Sequence, residues 1–188
     1  MKTTEFLSAR KSETLALIET VNNEFDILDE KLFNTTAGPK RWSVAECFQH
    51  LNITLKIYVP QLVFAVQNKH QFKGQKVNFK PGFIGKLAVN STAPKENNEI
   101  PRKMKTFKIL KPEEMEYSKR EVLDIFLRFQ QDIITTIEGA DNMSLEKPKI
   151  VTAVGSILKL GFGDALHFMI AHNQRHVLQA QNVLKIIK

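Results

Sequence analysis

The sequence predicts an all-α chain, a four-helix bundle with a long crossover between its second and third helices. Three observations predict it. Four stretches carry apolar residues at alternating steps of three and four, and two of these open on a Ser-x-x-Glu capping box. Between the second and third stretches, the segment from about residue 71 to 112 has no sustained helical period and holds four of the seven prolines and three glycines. At 188 residues, with 43% hydrophobic and 25% charged, the chain suits one globular domain spanning residues 1–188.

The first predicted helix runs from about residue 5 to 33. Ile18, Val21, Phe25, Leu28 and Leu32 form its stripe, and the Asn34-Thr-Thr-Ala-Gly38-Pro39 run ends it. Ser43-Val-Ala-Glu46 opens the second, whose stripe is Val44, Phe48, Leu51, Leu55, Tyr58 and Leu62. Pro60 predicts a kink there, because it removes a backbone donor. Ser118-Lys-Arg-Glu121 opens the third, with Val122, Phe126, Phe129, Ile133 and Ile137 aligned and Gly139 as its stop. The fourth is expected to begin at Asp164, after Gly161-Phe-Gly163, and to run almost to Lys188 with Met169, His172, His176, Ala180, Val183 and Ile187 on one line. A bundle is the simplest way to bury four such stripes. The crossover is expected to contain short extended pieces at Val77 to Phe79, and residues 142–162 to pack apolar side chains such as Ile150, Val154 and Ile157 across the mouth of the bundle.

Charge is concentrated in one place. Residues 69–120 hold thirteen Lys and Arg against five Glu, so this segment accounts for all of the chain's net charge of +7. As a solvated loop it needs no partner. As a lid it would gather an anionic small-molecule substrate. As a nucleic-acid surface it would use Phe72, Phe79, Phe83 and Phe107 among its lysines, a reading that ranks last because no recognisable binding motif accompanies it. One Cys excludes an internal disulfide or a multi-thiolate zinc site. No signal peptide or membrane-spanning run is evident, so a cytoplasmic protein without a membrane partner is expected.

Five histidines are candidates for chemistry. His172 and His176 are four apart, so their rings leave one face of a helix a turn apart, within reach of one ion. His167 is nine residues before His176, on the opposite side, and is excluded. His50 on the second helix is the best third ligand, while His70 sits among Asn68, Lys69 and Gln71 and is expected to be solvated. Three neutral imidazoles with water in the remaining positions would make an open site for Zn²⁺ or Ni²⁺. The plain alternative is a set of core histidines satisfied by other protein groups. A protease of the His-Glu-x-x-His type is excluded, because Asn173 stands where that chemistry needs a carboxylate. Trp42 reads as a plug at the bundle end, Glu46 as a cap that could also orient His50, and Cys47 as a small buried hydrophobe.

Trp42-Ser43-x-x-Glu46-x-x-x-His50-Leu51, together with His172-x-x-Arg175-His176-x-x-Gln179, resembles the DinB/YfiT-like superfamily and is most similar to its DinB-like subgroup. The resemblance implies a four-helix bundle with a long crossover and a divalent metal held by His50, His172 and His176. Asn173 departs from the Glu often found after the first C-terminal histidine of that pattern. Members include thiol-dependent S-transferases, a mycothiol-dependent isomerase and presumed metal-dependent hydrolases, so a low-molecular-weight thiol is a candidate cofactor and a homodimer a candidate assembly. Glu46, Asn173, Arg175 and Gln179 are candidate supporting or substrate-contacting residues. The expected activity is that of a metal-dependent transferase or hydrolase. The competing expectation is a non-catalytic structural or interaction bundle.

Overall fold

A computed structural model describes residues 1–74, 76–95, 99–100 and 105–188; Glu96, Pro101, Arg102 and Lys103 of the basic segment lie outside the described residues. The described chain is mostly helical. It forms α1 (Thr3–Thr20), α2 (Glu30–Asn34), α3 (Val44–Gln67), α4 (Phe83–Thr92), α5 (Lys119–Gly139) and α6 (Phe162–Ile187), with an antiparallel pair β1 (Lys149–Thr152) and β2 (Gly155–Gly161) before α6. Both α1 and α3 pack against α5 and α6. Phe48 of α3 anchors the core, meeting Phe25 and Phe126 edge-on at centroid distances of 5.0 and 5.1 Å, with Phe33 stacked at 6.5 Å. Edge-on and offset pairs of this kind add to the burial of the rings.

The predicted first helix is divided. α1 passes into a π-helical turn at Val21–Phe25, and α2 starts anew with the Asp29 side chain accepting from the Leu32 N–H at 2.6 Å. Asn22 and Asn23 are poor helix formers, and Asp29 caps more readily than it continues a helix. Val21, Phe25 and Leu28 are nonetheless all buried, so the stripe is kept while the backbone is reset. α3 is one uninterrupted helix through Pro60, which is exposed.

The segment between α3 and α5 is where the structure departs furthest from expectation. It contains α4, a ten-residue helix that buries Gly85, Val89 and Thr92 and packs on α6. That face is a glycine, a valine and a threonine, so no apolar stripe announces it. Asp164 in the first turn of α6 accepts from the Gly82 N–H with both carboxylate oxygens, at 3.2 and 3.1 Å, which caps α4 from a neighbouring helix. Before α4, the extended piece is present: Thr3 N–H donates to Val77 at 2.8 Å, Phe79 N–H to Met1 at 3.2 Å, and the Phe79 ring lies 4.3 Å from Phe6.

Residues 149–161 form a hairpin rather than an irregular apolar cover, with Ile150 opposite Leu160 and Val151 opposite Lys159. Ile150 and Leu160 join the core, but Val154 and Ile157 are exposed. Gln61 of α3 pins the hairpin by donating to the Val151 carbonyl at 3.1 Å and accepting from its N–H at 2.9 Å, as a neighbouring strand would. Tyr58 Oη accepts from Ala153 N–H at 3.2 Å. α6 begins at Phe162, two residues earlier than expected, because Gly161 serves as its N-cap and does not interrupt it. Gly163 in that first turn is needed for packing: a Cβ would lie 2.6 Å from the Phe79 ring. No helix of the described residues is long and apolar enough to cross a membrane.

Candidate metal centre

The centre is assembled by two long helices and one loop. Ser43 begins α3 with both bonds of a capping box: its hydroxyl accepts from Glu46 N–H at 3.1 Å, and the Glu46 carboxylate accepts from Ser43 N–H at 2.8 Å. Two turns later His50 faces α6, where His172 and His176 leave successive turns. One ring nitrogen of each histidine lies within 4.8 Å of the other two. The Nε2 atoms of His50 and His172 lie 3.3 Å apart. Two ligands at about 2.0–2.1 Å from a tetrahedral zinc are separated by about 3.3 Å, so this pair already has the spacing of one tetrahedral edge.

Protonation also fits. His50 Nδ1 lies 2.7 Å from the Leu110 carbonyl, and a carbonyl only accepts, so Nδ1 carries the proton and the Nε2 lone pair faces the cluster. Burial lowers the pKa of all three rings, and for His172 and His176 the neighbouring imidazoles and Arg175 lower it further, well below the ordinary value of 6.5. Each is therefore neutral at pH 7 and offers a lone pair. Gln179, one turn beyond His176, acts in the opposite sense and favours its protonated form. The Nδ1 atoms of His172 and His176 are buried and make no hydrogen bond among the described residues, whereas that of His50 is held by Leu110.

Aromatic rings enclose the cluster. Trp42 lies 5.0 Å from the His50 ring and 5.9 Å from His176, and Phe168 sits 5.8 Å from both His172 and Tyr58. Trp42 thus walls the histidines directly. His50 and His176 are only 2% and 8% exposed.

The other candidates divide. Glu46 is engaged as the α3 cap, and Leu110, not Glu46, holds His50. Asn173 turns away from the histidines, fully buried, and donates to Gln130 of α5 at 3.3 Å. Arg175 is buried beside the pair and acts on it through its charge. Cys47 lies in the hydrophobic core, where burial raises its thiol pKa far above the range of a useful thiolate. His70 is exposed, and His167 packs edge-on to Phe6 at 5.9 Å with its pKa lowered to about 4 by burial and by Arg10. Sequence reasoning did not find Leu110, because its contribution is a backbone carbonyl and carries no residue-type signal.

A mostly helical chain that gathers three neutral histidines from two helices belongs to a class positioned to bind a metal ion. The family is shown directly: residues 6–180 match the model of the DinB superfamily, and the chain belongs to it. No curated protein and no solved structure matches the chain.

Proposed function

We propose that this protein is a metal-dependent enzyme of transferase or hydrolase type, built as a four-helix bundle of α1, α3, α5 and α6, in which His50, His172 and His176 hold a divalent ion. The observation that carries the reading is the convergence of three imidazole nitrogens within 4.8 Å, with the lone pair of His50 aimed inward by Leu110. When bound, Zn²⁺ or Ni²⁺ would act as a Lewis acid with open positions for a water or a substrate thiolate. The chain's own residues supply the rest. Leu110 fixes the His50 tautomer, Trp42 and Phe168 exclude water from the ring edges, and Arg175 adds a positive charge that favours an anionic small-molecule substrate. No carboxylate stands among the described metal-binding groups. Binding of a thiolate or oxyanion, which needs no local base, therefore suits the site at least as well as activation of water.

The experiment is metal analysis of purified wild type and His172→Ala after growth in supplemented medium. Near-stoichiometric Zn or Ni in the wild type and its loss in the variant are expected. Equal, negligible metal in both would remove the basis of the reading. A panel of low-molecular-weight thiols with monochlorobimane then separates S-transfer from hydrolysis.

One observation favours a second reading, metal held for stability alone: His50 and His176 are buried, leaving little of either ring open to a substrate. Metal without turnover of any thiol or ester panel would favour it.

A further inference from the structure

α4 has two opposed faces. Gly85, Val89 and Thr92 are buried on the side that meets α6. On the other side Phe83, Ile84 and Leu87 are 85%, 48% and 60% exposed. At about 100° per residue, Leu87 and Ile84 fall within about 100° of Phe83, whereas Val89 and Thr92 fall on the far side of the helix. A contiguous apolar face of this kind on a surface helix marks a contact with something else.

Charge decides what that is. From residue 69 to 95 the sequence holds six lysines and no Asp or Glu. Lys69, Lys76 and Lys95 are taken up by ion pairs with Asp141, Glu146 and Glu99. Lys80 and Lys86, three residues either side of Phe83, are exposed and make no ion pair among the described residues. A second copy docking through the same face would bring four such lysines together, which disfavours self-association. Nucleic acid would use the cations and the phenyl ring, but Ile84 and Leu87 offer nothing to stack on a base. A bilayer with anionic headgroups uses all of them: cations at the phosphates, apolar side chains at the acyl boundary.

We propose that α4 is a peripheral docking surface for anionic phospholipid, with Phe83, Ile84 and Leu87 entering the interface and Lys80 and Lys86 contacting headgroup phosphates. The expectation of no membrane partner rested on the lack of a spanning segment; a helix lying in the interface needs none. This surface is independent of the metal reading, since α4 contributes none of the three histidines.

The test is cosedimentation of the full chain with phosphatidylcholine vesicles, with and without phosphatidylglycerol. Binding is expected only when phosphatidylglycerol is present and should fall as salt rises. Phe83→Ala/Leu87→Ala should weaken it about tenfold or more, and Lys80→Glu/Lys86→Glu should abolish it. Both pairs of substitutions are at exposed positions, and unchanged melting temperatures would show that the fold is kept. The proposal is overturned if phosphatidylglycerol vesicles do not bind, if either double variant binds as wild type does, if an oligonucleotide binds through these residues while vesicles do not, or if the apolar substitutions dissolve a dimer instead.

Discussion

His50 is oriented by a backbone group and not by a side chain. Its Nδ1–H donates to the Leu110 carbonyl, 60 residues away, which frees Nε2 for the cluster, whereas His172 and His176 are kept neutral by burial and by the charges of the neighbouring imidazoles and Arg175. The chain's single Trp lies over two of the three rings, at 5.0 and 5.9 Å. Its fluorescence should therefore report occupancy without any assay of turnover. Titration with Ni²⁺ or Co²⁺ is expected to quench the Trp42 emission saturably in wild type and not in His176→Ala. Equal quenching in both would place the bound ion elsewhere. At this scale the three ligand candidates were legible, because residue type and the spacing of four carry the signal. The loss of Asn173 to Gln130 was not legible, since one residue's rotation round α6 sends a side chain into a different interface.

At the scale of elements, helices with broad apolar stripes were readable and α4 was not. A helix docked through Gly85 shows no period, yet the close approach depends on that glycine: a Cβ there would lie 2.2 Å from Cγ and 2.5 Å from Cβ of Asp164. The obstruction includes Asp164 Cβ, so moving the carboxylate tip alone cannot relieve it. Gly85→Ala is expected to destabilise by about 1–3 kcal/mol in urea denaturation, the usual cost of overpacking, despite the better helix propensity of Ala. A neutral or stabilised variant would mean that α4 is not held against α6 in this way. The hairpin escaped notice for a related reason. What makes residues 149–161 strands is pairing with each other and with the Gln61 amide, and neither partner is encoded in the local alternation of side chains.

For the whole molecule, the histidine cluster and the core are one system. His50 is on α3 and the other two histidines are on α6, two helices packed along much of their length. An ion binding all three would tie those helices together and would bind the folded state alone. At a hundredfold excess over its dissociation constant it should add about 2.7 kcal/mol of stability. Thermal melts of chelated protein, repeated after addition of Zn²⁺, are expected to shift upward, and His50→Ala should lose the shift while remaining folded. No shift in wild type would separate the cluster from metal binding.

The sequence by itself determined the mostly helical character, the family and the identity of the three converging histidines, because each rests on local periodicity or on residue type at fixed spacing. Only the tertiary structure decided that Leu110 orients His50, that Trp42 covers the cluster, that Asp164 caps α4 and that an apolar, lysine-flanked face is left outside. Each of those depends on groups far apart in the chain, several of them backbone atoms whose hydrogen-bonding capacity is the same at nearly every residue. Where they meet is set by packing, which one-dimensional patterns do not carry.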